Sequence, residues 1–284
     1  MISADDYAFL AHMLKQHSGL SLGAGKEYLI ESRLPAVLSA FGHQDITTLV
    51  RSLRIAAPPQ IVKSICDAMT TGETLFFRDS APFTILQQQV LPEAIDRVRT
   101  EGRPLRIWCA ACSTGQEPFS IAMILAQTEP ALKGIRVEVV ATDFSAQALS
   151  RAKLGIYNQF EVQRGLPVQL LLKFFRPVPE GFQIVPELHR HIVFKEINLL
   201  NPFPMGWQFD IIFCRNVLIY FDLATKRDIL ERVAKSLFRG GSVFLGGTES
   251  TLGITDSLAR VPGQASGVYR RPSDIVATRT AAVA

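Results

Sequence analysis

A short, continuously apolar run that ends in polar residues limits the folds open to this chain. Residues 211–214 read Ile-Ile-Phe-Cys, and Arg215 and Asn216 follow directly. A strand whose residues do not alternate between apolar and polar is covered on both faces, as strands of parallel sheets are covered by helices. Because ligands of open parallel sheets bind at the carboxyl ends of the strands, the run predicts an α/β fold with a binding edge at Arg215 and Asn216.

Beyond Gly102 the sequence alternates between β-rich and helical runs, which is typical of a parallel sheet with helical connections. The predicted strands are 105–109, 137–142, 191–197, 209–214 and 242–246, and the predicted helices are 117–127, 146–153 and 223–238. A proline-interrupted piece at about 166–191 does not fit this alternation. It predicts a small antiparallel hairpin inserted into the α/β domain.

Residues 1–72 carry helical signals and no convincing strand. Ser3, with Asp6 three residues further on, is typical of the first turn of a helix. Further helices are predicted at 29–41, 46–53, 60–69 and 82–99. We expect Pro35 to bend the first of these and Gly42 to end it.

These signals divide the chain into a helical amino-terminal domain of residues 1–72, an α/β domain of residues 73–272 and a tail of residues 273–284. The tail has little to bury, so we predict that it is disordered. With 284 residues, 48% of them hydrophobic, the chain is long enough for one substantial core and a smaller accessory domain.

Composition excludes several classes of protein. No apolar run approaches the roughly 20 residues that span a bilayer, and the amino terminus carries Asp5 and Asp6 where a signal sequence is basic and then apolar. We therefore expect a cytoplasmic protein without membrane insertion. The net charge of +4 is too small and dispersed to indicate nucleic-acid binding. The Cys109-x-x-Cys112 pair has no second pair, so the sequence predicts no metal site, and the four cysteines are expected to be reduced.

A run of small residues follows the first predicted strand and leads into a helix. Small side chains let the backbone approach a ligand closely, and the helix amides can receive its polar groups. Compared with the acidic-x-Gly-x-Gly-x-Gly loop of class I methyltransferases, only Gly115 keeps its glycine. Ala111 and Ser113 occupy the other two glycine places, and Cys109 the acidic one. Taken alone, the loop is equally consistent with a tight strand-to-helix turn.

Polar side chains follow the next strands at the same predicted edge. Asp143 ends the second strand, where Rossmann-like folds place an acid against the ribose hydroxyls of a nucleotide. An alternative is that Asp143 caps the helix that follows Ser145. Asn198 and Asn216 lie at the ends of later strands, and their amide side chains can donate to and accept from an adenine or an amino-acid moiety.

Together these motifs resemble the CheR family of chemotaxis receptor methyltransferases, from residue 1 to about 271. The shared motifs are Thr-Leu-Phe-Phe-Arg at 74–78, Ser-Thr-Gly-Gln-Glu-Pro-Phe-Ser at 113–120, Ala-Thr-Asp at 141–143, Gly-Ile-Tyr at 155–157 and Phe-Cys-Arg-Asn-Val-Leu-Ile-Tyr-Phe at 213–221. The resemblance implies a class I, Rossmann-like domain that binds S-adenosylmethionine, with a small antiparallel β insertion and an all-α receptor-docking domain before it. The implied reaction transfers a methyl group to glutamate side chains on the cytoplasmic helices of chemoreceptors and leaves S-adenosylhomocysteine.

The resemblance also implies roles for individual residues. The implied cofactor contacts are Thr74, Arg78, Glu117, Asp143, Asn198, Leu199, Asn216 and Val217. Among them, Glu117 is expected to pair with the methionyl ammonium and Asp143 with the ribose. Arg78 and Tyr220 are the implied catalytic residues; the alternatives are a surface ion pair for Arg78 and a packing role in the core for Tyr220. From its spacing, Tyr220 is expected one helical turn beyond Asn216. With Arg78 in the catalytic role, Arg215 is expected to brace the loop. Gly72 stands where relatives usually have asparagine, so a side-chain contact to the cofactor is missing there. We expect a modest loss of affinity for S-adenosylmethionine, since one hydrogen bond is lost.

The implied chemistry requires no general base. A free glutamate has a pKa of about 4.3 and is already ionised at neutral pH, so the enzyme has only to desolvate and aim the carboxylate. Arg78 and Tyr220 are suited to that task. His189 and His191 lie on the inserted segment, where we expect surface or packing roles.

Two features depart from the family pattern. Residues 1–72 hold six basic and six acidic side chains, which predicts a docking surface that depends little on charge. Relatives that bind a receptor-tail pentapeptide as a tether carry a short glycine-containing insertion in this subdomain. The hairpin here shows the single glycine Gly181, so we predict that this chain does not depend on such a tether. We expect a monomer. A non-catalytic signalling module that binds S-adenosylmethionine and a small-molecule methyltransferase remain as alternatives.

Overall fold

The chain divides into two compact units in its computed structural model. The first unit is built from the residues up to Thr71 together with Tyr220–Thr225, and the second from Gly72–Ile219 and the residues from Lys226 onward. The structure describes residues 2–264 and 267–275. Most of the predicted disordered tail, 273–284, therefore lies outside the described residues.

The first unit is helical, as predicted. Its helices are α1 (Ala4–Ser18), α2 (Glu27–Arg33), α3 (Pro35–Ala40), α4 (Ile46–Ile55) and α5 (Pro59–Met69). The side chain of Ser3 accepts the amide proton of Asp6 at 3.1 Å, which confirms the predicted start of α1. The prediction of one helix bent at Pro35 was wrong. Pro35 is instead the first residue of α3, a position that suits proline because its missing N–H has no partner there.

A late segment of the sequence belongs to this first unit. Residues Tyr220–Thr225 lie against the end of α1, where Lys15 Nζ forms an ion pair of 2.7 Å with Asp222. The amide of Ser21 also donates to the carbonyl of Tyr220 at 2.9 Å. Tyr220 is thus held by the helical unit, although the residues before it and those after Thr225 belong to the α/β unit.

The second unit contains two sheets and the remaining helices. Its strands are β1 (Leu105–Ala110), β2 (Val137–Asp143), β3 (Ile156–Tyr157), β4 (Phe175–Val178), β5 (Gly181–Ile184), β6 (Ile192–Glu196), β7 (Phe209–Cys214), β8 (Leu237–Leu245), β9 (Ala259–Arg260) and β10 (Val268–Arg270). Its helices are α6 (Ala81–Ile85), α7 (Leu91–Glu101), α8 (Gln116–Gln127), α9 (Ala146–Leu154), α10 (Gln159–Gln163), α11 (Val168–Phe174), α12 (Pro186–His189) and α13 (Leu223–Lys235), the last of which begins in the first unit.

The larger sheet has the order β6-β2-β1-β7-β8-β10-β9, and the neighbours from β6 to β8 are parallel. Every residue of β7 is buried, which confirms the prediction that both of its faces are covered. Two details of this sheet differ from the prediction. α13 ends at Lys235 and not at residue 238, and β8 accordingly begins at Leu237 and not at residue 242. The antiparallel strands β9 and β10 were not predicted.

The smaller sheet, β3-β5-β4, is the predicted antiparallel insertion, but it starts earlier in the sequence. β4 and β5 form the expected hairpin, and β3 adds a third strand from outside the predicted range 166–191. Two-residue strands carry too little periodicity to be recognised from sequence, which explains the omission.

The strand order sets the place of the functional edge. β1 pairs with β2 on one side and with β7 on the other, so the direction of winding reverses between β1 and β7. Ala110 lies in register with Thr142 of β2 and with Cys214 of β7. The residues that follow these three positions therefore leave the sheet at one level, at the switch point where such folds bind ligands.

The opposite end of β7 carries a buried charge network. The Asp210 side chain is fully buried, and its two oxygens accept hydrogen bonds from Arg97 at 3.1 Å and from Arg103 at 2.8 and 2.9 Å. The backbone amide of Arg106 donates to the same carboxylate at 3.1 Å. This single side chain joins the end of α7, the start of β1 and the start of β7.

We predict that Asp210→Ala lowers the free energy of unfolding by about 3–5 kcal/mol, because two arginines then lose the carboxylate that compensates them. Urea unfolding followed by tryptophan fluorescence measures this in the second unit, which contains both tryptophans, Trp108 and Trp207. Asp96→Ala is the matched control, because the Asp96 side chain is 81% exposed in its ion pair and its loss costs about 1 kcal/mol or less. Equal effects of the two substitutions would contradict the prediction.

Candidate functional site

Three loops at the carboxyl edge of the sheet contain all the non-glycine residues with positive φ in the described part of the chain. These residues are Phe77, Asp79 and Ser80 in the first loop, Ala111 and Ser113 in the second, and Asn216 in the third. A left-handed backbone is unfavourable for residues with a Cβ and persists only where surrounding contacts hold it. Such strain is typical of functional sites, so the contacts that hold these loops identify the site's framework.

The second loop connects β1 to α8 and is anchored from several directions. The amide of Cys112 donates to the carbonyl of Thr142 at 2.8 Å, and the fully buried Tyr157 donates its hydroxyl to the carbonyl of Thr114 at 2.7 Å. Gly115 has a φ of +97°, and a Cβ there would lie 2.9 Å from the Ala152 Cβ. Glycine is therefore required at position 115, the one place where this loop keeps a glycine of the class I methyltransferase pattern.

Asp143 closes this loop from the end of β2. Its carboxylate is 8% exposed and accepts the amide of Ser113 at 2.8 Å and that of Ser145 at 2.9 Å. Burial raises the pKa of Asp143, and the two amides oppose that effect. The alternative capping role is wrong, because Ser145 itself caps α9 by accepting the amide of Ala148.

Arg215 has the bracing role that the sequence predicted, and the structure shows that it braces the first loop. Only 1% of its side chain is exposed, and its guanidinium donates to the Arg78 carbonyl at 2.9 Å and to the Asp79 carboxylate at 2.7 Å. The same group reaches Glu117 on α8 at 3.3 Å. One buried cation therefore holds the strained turn that carries Arg78, the start of α8 and the end of β7 together.

Glu117 is a buried carboxylate that is only partly compensated. Burial raises its pKa to about 7, Arg215 and Arg78 lower it, and the nearby Glu249 raises it. The carboxyl group therefore titrates in the neutral range in the absence of any further cation. Such a group is suited to receive a positively charged ligand.

Glu249 is a site residue that sequence reasoning missed. Its carboxylate, 8% exposed, accepts four backbone amides, those of Asn216, Val217, Leu218 and Gly246, at 2.7–3.0 Å. The available signal was a glutamate shortly after the end of β8, behind two glycines, at the same edge as Asn216. A single acidic residue in a predicted loop did not distinguish this role from a solvated surface position.

The remaining implied cofactor residues lie on segments that lead away from the same edge. Asn198 and Leu199 follow β6, where the Asn198 side chain accepts the amide of Leu200 at 3.0 Å and Arg232 donates to the Leu199 carbonyl at 2.6 Å. Thr74 is half-buried in the connection before the strained turn.

Arg78 and Gly72 lie on the same connection as Thr74. The half-buried Arg78 donates to the Glu73 carbonyl at 3.1 Å. Gly72 is tied to the second loop, since the Ser113 hydroxyl donates to its carbonyl at 2.6 Å. A Cβ at Gly72 would lie 3.3 Å from that hydroxyl oxygen, so a larger residue there requires a small shift of Ser113.

The predicted helical turn between Asn216 and Tyr220 was wrong. Asn216 has a φ of +56°, and a 3-10 turn then runs from Leu218 to Tyr220. The three amides of Asn216, Val217 and Leu218 bind Glu249, which replaces the hydrogen bonds that a helix would have made. Tyr220 is half-buried and belongs to the first unit.

Other candidate groups are packing residues. The four cysteines are buried thiols, and burial raises the pKa of Cys109, Cys112 and Cys214. The His189 ring packs edge-on against Phe119 at 4.9 Å, and burial lowers its pKa. Within residues 2–264 and 267–275, no group of three or more His, Cys, Asp or Glu side chains is arranged to hold a metal ion. The same ranges contain no helix with the length and apolar character needed to cross a membrane.

Two family models match this chain. The model described as "CheR methyltransferase, SAM binding domain" matches residues 72–266, and the model described as "CheR methyltransferase, all-alpha domain" matches residues 5–70. The chain belongs to the CheR methyltransferase family. The predicted fold class is thereby confirmed as a class I, Rossmann-like domain with a small antiparallel insertion, preceded by an all-α domain. S-adenosylmethionine is the cofactor of this CheR domain.

Relatives match over nearly the whole chain. The "Chemotaxis protein methyltransferase" of Vibrio parahaemolyticus is 37% identical over 272 residues, which cover 95% of this chain and 98% of the relative. The "Chemotaxis protein methyltransferase Cher2" of Pseudomonas putida is 38% identical over 271 residues, which cover 93% of this chain and 97% of the relative.

Proposed function

We propose that this CheR family member transfers the methyl group of S-adenosylmethionine to glutamate side chains on the cytoplasmic helices of chemoreceptors. The products are glutamyl methyl esters and S-adenosylhomocysteine. We further propose that residues 1–72 dock the receptor, that residues 73–272 perform the transfer, and that the protein acts as a cytoplasmic monomer. The names of the relatives from Vibrio and Pseudomonas support a role in chemotaxis.

The observation that carries the proposal is the partly compensated carboxylate of Glu117 beside Arg78 and Arg215. A buried acid with a pKa of about 7 fits the ammonium of a methionyl group, which would restore its charge. Asp143, whose carboxylate faces the small-residue loop, fits the ribose hydroxyls. Thr74, Asn198, Leu199, Asn216 and Val217 complete the proposed cofactor set.

The acceptor chemistry explains why these residues include no general base. When bound, S-adenosylmethionine supplies a methyl group on a positively charged sulfur. The acceptor glutamate is already ionised, so its oxygen forms the new bond to carbon as the carbon–sulfur bond breaks, and no proton moves. Arg78 and Tyr220 then have the task of stripping water from the acceptor carboxylate and aiming one of its oxygens.

We predict that Arg78→Met and Tyr220→Phe each lower kcat by about 10²-fold or more, since each removes a donor that orients the acceptor. The assay follows labelled methyl from the cofactor into a receptor cytoplasmic fragment and its release by base as methanol. Arg136→Met is the control, because its side chain is 80% exposed and lies outside the proposed site. Binding of S-adenosylhomocysteine without transfer to any receptor of the host would favour the non-catalytic signalling module instead.

We also predict that binding of S-adenosylhomocysteine weakens about tenfold between pH 8 and pH 6. Protonation of Glu117 below its pKa of about 7 removes the charge that pairs with the ammonium, so affinity is full above that pKa and falls below it. Calorimetry across this range measures the effect. Glu117→Gln should bind weakly with little change over the same range. A flat pH dependence of the unaltered chain would contradict the role of Glu117.

A further prediction concerns the inserted hairpin. Gly181 is required by the packing of the hairpin itself, because a Cβ there would collide with the Tyr157 carbonyl oxygen where β5 pairs with β3. The hairpin therefore has no further glycine of the kind that tethered relatives carry in their insertion. We expect a receptor-tail pentapeptide to bind with a Kd weaker than about 100 µM, if at all. Micromolar binding in calorimetry would show that a tether is used.

A further inference from the structure

We infer that Glu249 is a positioning residue for the cofactor site, because its carboxylate fixes the backbone of the segment from Asn216 to Leu218. The inference rests on the cofactor roles proposed for Asn216 and Val217. It adds to those roles the group that fixes the backbone positions of Asn216 and Val217.

The geometry is that of an anion held by consecutive amides. Oε2 of Glu249 accepts the amides of Asn216 at 2.8 Å and Gly246 at 2.7 Å. Oε1 accepts the amides of Val217 at 3.0 Å and Leu218 at 2.7 Å. Successive backbone amides that turn to one side form a concave site for an anion, and here the chain supplies the anion itself. Hydrogen bonds to an ionised acceptor are stronger than neutral ones, so the four contacts hold the segment firmly.

The backbone of Asn216 explains why the segment needs such a partner. Its φ of +56° places a residue with a Cβ in the left-handed region, which is unfavourable unless other contacts impose it. Arg215 is fixed on one side of Asn216 by its bonds to Asp79 and Glu117. Glu249 holds the other side. Without the carboxylate, three neighbouring amides would lose their acceptor and the left-handed residue its constraint.

Gly246 makes room for this arrangement. The amide of Glu249 donates to the Gly246 carbonyl at 2.9 Å, which closes a turn after β8. A Cβ on Gly246 would lie 2.7 Å from Oε2 of Glu249 and 2.9 Å from the amide nitrogen of Asn216. Any side chain at this position therefore pushes the carboxylate away from the segment.

The contacts also exclude a direct role for Glu249 in binding the cofactor or the acceptor. A carboxylate offers about four acceptor positions, and four amides already fill them. Glu249 acts on ligands through Asn216 and Val217, in contrast to Glu117, whose carboxylate has a single guanidinium as its hydrogen-bond partner among the described residues.

Glu249→Gln removes the carboxylate without changing the size of the side chain, since glutamine has nearly the same shape but replaces one acceptor oxygen with an N–H donor. Two of the four amides then lose their acceptor. We expect the Kd for S-adenosylhomocysteine, measured by calorimetry on the full chain at pH 8, to rise about 10- to 100-fold. Gly246→Ala displaces the same carboxylate from the other side, so it should weaken binding in the same direction if Glu249→Gln does not fold.

The controls distinguish a positioning role from a purely structural one. Glu180→Gln, at an exposed position between β4 and β5, should leave the Kd unchanged. Hydrogen exchange of the amides from 216 to 218 should accelerate in Glu249→Gln while exchange in β1 and β2 stays slow. A variant with lowered thermal stability and an unchanged Kd would overturn the inference. Failure of the unaltered chain to bind S-adenosylhomocysteine would instead overturn the proposed site as a whole, so the two failures are distinguishable.

Discussion

A buried guanidinium has to find its acceptors inside the protein, and the site of this CheR family member is organised around that constraint. Arg215, with 1% of its side chain exposed, meets the carboxylates of Asp79 and Glu117 and the carbonyl of Arg78. Leaving such a charge unpaired costs several kcal/mol. The strained turn from Phe77 to Ser80 is therefore held against the end of β7, and Arg78 is placed at the sheet edge as a consequence.

The two ends of β7 show what distinguishes a structural charge cluster from a functional one. Near its start, the fully buried Asp210 has two arginines and a backbone amide as partners. Beyond its other end, Glu117 has the guanidinium of Arg215 as its hydrogen-bond partner among the residues that the structure describes, and burial raises its pKa to about 7. The first carboxylate is satisfied by the protein alone. The second is only partly compensated, which is the property expected of a carboxylate that receives a cationic ligand.

The features that sequence reasoning recovered are those that depend on short-range patterns. The apolar run at 211–214 was enough to predict a strand covered on both faces, and Asp143 was assigned to the correct edge because it lies at the carboxyl end of a strand. The features that were missed depend on groups that meet from distant positions. Tyr157 reaches the carbonyl of Thr114, and Glu249 reaches Asn216, without any local pattern to indicate either contact.

The sequence by itself determined the alternation of strands and helices, the sheet edge at which Asp143 and Asn216 lie and the family to which the chain is similar. These follow from side-chain periodicity and from motifs that lie within a few residues of one another. Only the tertiary structure decided that the winding reverses between β1 and β7, that Asn216 is left-handed, that Pro35 begins a separate helix and that Glu249 holds the backbone from Asn216 to Leu218. A backbone conformation at such positions is set by which buried amides and charges find a partner, and that depends on the packing of segments that the sequence keeps far apart.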